Sequence, residues 1–147
     1  MRVTKFGYNY QLTTLPYLFP VNCYFVDEGH ELSLIDTGLS FSYKGILKAA
    51  DKLGKPITRI ILTHAHEDHL GSLDRLKDYL PQAKVYISKR ESRMLNGDTS
   101  LDPGEHMVPI RGGAPKSLAT KADILLEEGI NGLFCTWPYA WFVSFSG

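Results

Sequence analysis

Within six residues the chain places His64, His66, Asp68 and His69, two kinds of donor that bind first-row metal ions well. Imidazole nitrogen with carboxylate oxygen is the donor set of Zn²⁺ and related ions, and no Cys or Met lies in the stretch to select a softer metal. Four donors in such a short run point to a metal centre. A divalent ion bound by such donors can lower the pKa of water to about 7 and polarise the oxygen of a carbonyl or phosphoryl group. No serine or cysteine nucleophile is needed.

The elements around the cluster must position it. Residues 57–62 are a short β-branched run with Lys55-Pro56 before it and Thr63 after it, the pattern of a buried strand. If extended backbone persists past Leu62, alternation sends His64 and His66 to the same side. Asp68 and His69 then fall where the chain turns into a helix and point another way, so the four donors can serve two adjacent metal positions. That helix is predicted over 69–80 from Leu70, Leu73, Leu76 and Leu80, with Pro81 beyond it.

Upstream, 21–26 and 31–35 read as a hairpin around the turn Asp27-Glu28-Gly29-His30, and Asp36-Thr37-Gly38 ends its second strand. Tyr43, Ile46, Leu47, Ala50 and Leu53 mark one face of a helix over 41–53 that stops at Gly54. A short strand over 84–87 and a brief helix over 89–95 follow, and a strand near 3–8 opens the chain. Residues 96–118, dense in Gly, Pro, Asp and Ser, read as a long loop of the kind that lies near a site. Strands alternating with helices predict an α/β layer with helices on one face of a sheet.

Composition narrows the classes. With 147 residues, 44% hydrophobic and 22% charged, this is one globular domain. Sixteen basic residues balance sixteen acidic ones, which removes any overall electrostatic case for a nucleic-acid partner. No apolar run reaches the length of a membrane span, and the N-terminus has no secretory pattern. Cys23 and Cys135 read as buried free thiols, which together with the missing leader predicts a cytoplasmic protein.

The motif Thr63-His64-Ala65-His66-Glu67-Asp68-His69-Leu70-Gly71 resembles the H-x-H-x-D-H signature of the metallo-β-lactamase superfamily, zinc hydrolases with an αβ/βα sandwich. The resemblance takes in Val21 to about Glu128, including Asn22-Cys23-Tyr24 and Leu34-Ile35-Asp36-Thr37-Gly38. It implies that the chain is the N-terminal half of such a sandwich, a metal-dependent hydrolase attacking an ester, thioester, lactam or related bond of a small molecule. His64 and His66 would bind the first Zn²⁺ and Asp68 and His69 the second, with Asp68 also the catalytic carboxylate. Asp36 matches the acidic residue that supports the ligands from behind; on the residues alone it is equally a turn Asp bonding local backbone. His30, Glu67 and His106 read as solvent residues.

The family draws a third histidine, a bridging Asp and a final His from its second half, and no residue after 110 in this chain is a histidine. The expected division is therefore a truncated family-like domain over 1–128 and an atypical apolar tail over 129–147, holding both Trp137 and Trp141. Synonymous codons for 135–146 exist whose shifted frame encodes a Pro-Gly-His-Thr-like segment, so the tail reads as out-of-frame translation, testable by sequencing the gene. A missing second half would leave one sheet face uncovered and favour self-association. It also raises an alternative function, a non-catalytic metal-binding or interaction remnant of such an enzyme.

Overall fold

A computed structural model describes residues 1–98, 100 and 118–127; most of the predicted long loop, His106, Cys135 and the tail lie outside the described residues. Seven strands form one sheet in sequence order: β1 (Arg2–Phe6), β2 (Asn9–Thr14), β3 (Val21–Asp27), β4 (Leu32–Ile35), β5 (Ile57–Ile61), β6 (Lys84–Ser88) and β7 (Ile124–Leu126). The first four run antiparallel, and β4 to β7 are parallel. This change of direction follows from the connections. Tight turns join the early strands, whereas a parallel neighbour needs a crossover, and helices supply it.

The crossovers are α1 (Tyr43–Leu53) between β4 and β5, α2 (Glu67–Leu70) and α3 (Leu73–Tyr79) between β5 and β6, and α4 (Lys89–Leu95) after β6. α1 buries Ile46, Ala49 and Ala50, close to the predicted face, and ends at Gly54, whose φ of 66° is the left-handed conformation of a helix stop. Against these helices lies a row fixed by strand register: Tyr10, Phe25, Leu34, Ile60 and Val85, one from each of five neighbouring strands and all buried. Leu73 and Leu76 of α3 close over the same core. The chain is thus an α/β protein with helices packed on its sheet, as the alternation of elements predicts.

Three elements differ from the sequence reading. β2 was not anticipated, although Tyr10 and Leu12 alternate with Asn9 and Gln11; its far end, Thr13 and Thr14, is polar yet buried, which hides the strand from a hydrophobic pattern. β7 is only three residues long and has no periodicity to read. The single helix over 69–80 is two helices with a break at Gly71-Ser72.

The other sheet face carries a second register row, Tyr24, Ile35, Ile61, Tyr86 and Ile124. Tyr86 is buried, Tyr24, Ile35 and Ile61 are half-buried, and Ile124 is 36% exposed. Beside this apolar row the same face is polar. Asn22 Oδ1 accepts from Gln11 Nε2 and Thr13 Oγ1, both at 2.9 Å, and Ser33 Oγ donates to Glu28. Among the described residues no helix is long and apolar enough to cross a membrane.

Candidate metal centre

Because β4, β5 and β6 are parallel, their C-terminal ends share one edge of the sheet, the place where open α/β sheets gather functional groups. Asp36 follows β4, the histidine stretch follows β5, and α4 follows β6, which ends at Ser88. The ladder of β5 makes its last bond from Leu62 N–H to Tyr86 O at 2.8 Å. Side-chain carboxylates then take over from main-chain carbonyls. Thr63 N–H donates to Asp36 Oδ1 at 2.8 Å on one side, and Ala65 N–H donates to Glu91 Oε2 at 2.7 Å. The backbone at His66 is extended (φ −106°, ψ 151°) before it enters α2.

This suspension brings the predicted ligands together. The His64 ring lies 4.6 Å from the His66 ring and 3.8 Å from the His69 ring, centroid to centroid. The division into two differently directed pairs is therefore not visible in the rings, since α2 turns at once and returns His69 to His64. Asp68 Oδ2 stands 3.5 Å from His69 Nε2. Glu67 and His30 are exposed, as expected.

Asp36 faces the histidine stretch. Its carboxylate is 5% exposed and bonds groups remote in sequence: Thr63 Oγ1 and His69 Nδ1 each meet Oδ2 at 2.8 Å. Its φ of 58° is left-handed, which Asp tolerates better than most residues. Thr63 spends its one hydroxyl proton on Asp36, so at its 2.9 Å contact with His64 the donor must be Nδ1–H. One carboxylate thus engages the Nδ1 side of both imidazoles, directly for His69 and through Thr63 for His64. That is the arrangement metal-binding histidines require.

Electrostatics differ between the two rings. The hydrogen bond to Asp36 holds the His69 pKa above its ordinary value, against burial and with further help from the Asp36 and Asp68 charges. Burial, then the neighbouring His69 and His66, pushes His64 below the ordinary value, and the charges of Asp36 and Glu91 only partly oppose this. The lowering favours the neutral imidazole, the form that ligates.

The break after α2 belongs to the site. Thr37 donates both its N–H (2.7 Å) and its hydroxyl (2.8 Å) to the His69 carbonyl, drawing it away from the next helical turn. Gly71 then lies against Gly38 to Ser40 so closely that a Cβ would sit 2.6 Å from the Ser40 nitrogen. Ser72 Oγ donates to Leu39 O and accepts from Tyr43 N–H, tying the segment to the start of α1.

Whether these residues suit a metal is decided by their chemistry. Three clustered imidazoles and an adjacent carboxylate are the residue types of a zinc donor set. Among the described residues, however, no group of three or more His, Cys, Asp or Glu side chains is arranged to hold an ion; the rings pack on one another. Thr63 and Glu91 contribute to the site without having been singled out in the sequence. Ser88-Lys89-Arg90-Glu91 has the spacing of a helix capping box, a signal that marks Glu91 as an N-terminal helix residue but not its reach to Ala65.

Comparison with known proteins bears on the family and the fold. The family model described as the metallo-beta-lactamase superfamily matches residues 16–138. An uncharacterised Bacillus subtilis (strain 168) protein, YobT, is 54% identical over 129 residues, covering 88% of this chain and 55% of that protein. A probable metallo-hydrolase of Streptococcus pyogenes serotype M6 is 31% identical over 83 residues, 56% of this chain and 35% of that one. Among solved structures, a Cronobacter sakazakii metallo-β-lactamase with a HARLDQ motif superposes with a TM-score of 0.61 at 22% identity, covering 83% of this chain and 46% of that structure. The Pseudomonas aeruginosa enzyme FIM-1, in a mono-zinc form, gives 0.57 at 24% identity, covering 75% and 51%. The chain spans about half the length of the solved enzymes and of the YobT relative.

Proposed function

The chain belongs to the metallo-β-lactamase superfamily, and on that premise we propose that it is a metal-dependent hydrolase of a small molecule with its chemistry at the histidine edge. The observation that carries this reading is the shared support of two rings by one buried carboxylate, Asp36, which engages the Nδ1 side of His64 through Thr63 and of His69 directly. His64 and His66 would hold one Zn²⁺, and Asp68 and His69 a second. Zinc, if held there, would supply water of pKa near 7 and Lewis-acid activation for hydrolysis of an ester, thioester or lactam. The chain's own part is positional. Asp36 and Thr63 fix the ring tautomers, Thr37 holds the turn of α2, and Asp68, 43% exposed at its side chain beside His69, is placed to take a proton at the solvent side.

A second reading has its own support: a remnant that binds metal weakly without turnover. It is favoured by the absence, among the described residues, of three donors arranged around a point. Zinc competition titration and turnover of a chromogenic ester separate the two. A hydrolase holds one or two tight zinc ions and loses both binding and turnover in His66→Ala. Weak zinc with no turnover above background in the unaltered chain leaves the remnant.

A further inference from the structure

We propose that Glu91 is a positioning residue for the histidine stretch, acting on the peptide group between His64 and His66. The proposal rests on the metal reading above for its purpose, but its geometry stands independently. Ala65 is fully buried, so its N–H has no water to bond, and a buried unpaired N–H is costly. β6 ends at Ser88 and offers no carbonyl at that level. Glu91 Oε2 fills the place at 2.7 Å.

Glu91 is itself anchored. Ser88 Oγ accepts from Glu91 N–H at 3.2 Å, which starts α4 and fixes the residue in its first turn. In an ordinary capping box the Glu carboxylate turns back to the cap residue's own N–H. Here one of its oxygens reaches across to another strand's loop instead. The effect is to extend β5 by substitution: Asp36 replaces a longer β4 at Thr63, and Glu91 replaces a longer β6 at Ala65. Two neighbouring strand ends therefore grip the histidine stretch from different elements, and the relative placing of the His64 and His66 rings depends on the Glu91 grip. A carboxylate is suited to this because an ionised acceptor makes the stronger bond to a peptide N–H.

Three variants of the full chain test it: Glu91→Gln keeps an acceptor oxygen and removes charge, Glu91→Asp keeps charge but withdraws it by one methylene, and Glu91→Ala removes both. Two readouts are needed, hydrogen exchange of the Ala65 amide in the metal-free chain and zinc affinity by chelator competition. In Glu91→Ala and Glu91→Asp the Ala65 amide should exchange at least about tenfold faster and zinc affinity should fall about 10–100-fold, the usual range for groups that orient ligands. Glu91→Gln should restore both most of the way. Unchanged Ala65 exchange in Glu91→Ala overturns the proposal whatever zinc does. Full rescue by Asp with failure of Gln also overturns it, since that pattern means charge rather than a grip on the peptide. If Glu91→Ala does not fold, the contrast between Gln and Asp decides alone. An unaltered chain that binds no zinc, with Ala65 exchange still responding, defeats the metal reading and leaves the grip itself established.

Discussion

The two edges of the parallel part of the sheet use carboxylates in opposite ways. At the edge where β3 ends and β5 begins, acids meet fixed bases: Asp27 pairs with Lys55 at 2.5 Å, and Arg59 bridges Glu28 (3.1 Å) and Glu31 (2.7 Å). At the other edge Asp36 and Glu91 accept from peptide N–H groups, a hydroxyl and an imidazole. Ion pairs neutralise charge in place and fasten a turn. The bonds of Asp36 and Glu91 instead hold main-chain and side-chain groups of the histidine stretch in place. The first edge fastens a turn, and the second holds the histidine stretch.

The largest effect expected from breaking this contrast is at Asp36. Replacing it with Ala strips three partners at once, leaves Thr63 N–H and the His69 ring unanswered, and puts a β-carbon residue other than Asp at φ 58°. Chemical denaturation should show a loss of about 3–5 kcal/mol. Gly71→Ala comes next: with backbone atoms of Gly38, Leu39 and Ser40 within 2.8 Å of the new Cβ, neither segment can yield cheaply. A loss of about 1–3 kcal/mol is expected in the same measurement, together with altered His69 ring resonances, because Gly71 closes the break after α2.

At the opposite edge Lys55→Ala should cost only about 1 kcal/mol, since its pair is partly open to solvent. The sign with pH is set by Asp27, whose pKa lies below the usual 3.8 because Lys55 donates to it, helped by Gly29 N–H. A carboxylate lowered in the folded state stabilises fully above the unfolded value, and that contribution is lost as pH falls through the folded one. Asp27→Asn should therefore flatten stability against pH below about pH 4 and leave the curve near pH 7 parallel to that of the unaltered chain. The smallest effect is expected at Cys23. Burial, aided by the Asp36 charge, pushes its thiol up to about 12, so alkylation at pH 8 followed by peptide mass mapping should leave it unmodified until the chain unfolds.

Much of this was legible in the chain because it is local. Gly54 stops α1 as its position predicts, and the β-branched run at 57–61 forms the strand that carries the histidines. Where the reading fell short, the cause was a contact from elsewhere. Leu70, Leu73, Leu76 and Leu80 keep a helical period across Gly71, yet Thr37 removes the His69 carbonyl from the ladder and the backbone at 38–40 crowds in. Thr13 and Thr14 of β2 are polar and still buried, because Asn22 and Ser42 supply partners.

The sequence by itself determined the donors, their order and the elements on either side, since residue types and a period of two or 3.6 are properties of neighbours along the chain. Tertiary structure decided how those donors are held. Asp36 acts 27 residues ahead of Thr63 and Glu91 acts 26 residues beyond Ala65. No spacing rule encodes such a bond. It exists because parallel strands bring three C-terminal ends to one edge, where the N–H groups of a chain leaving the sheet must find acceptors or pay for going without.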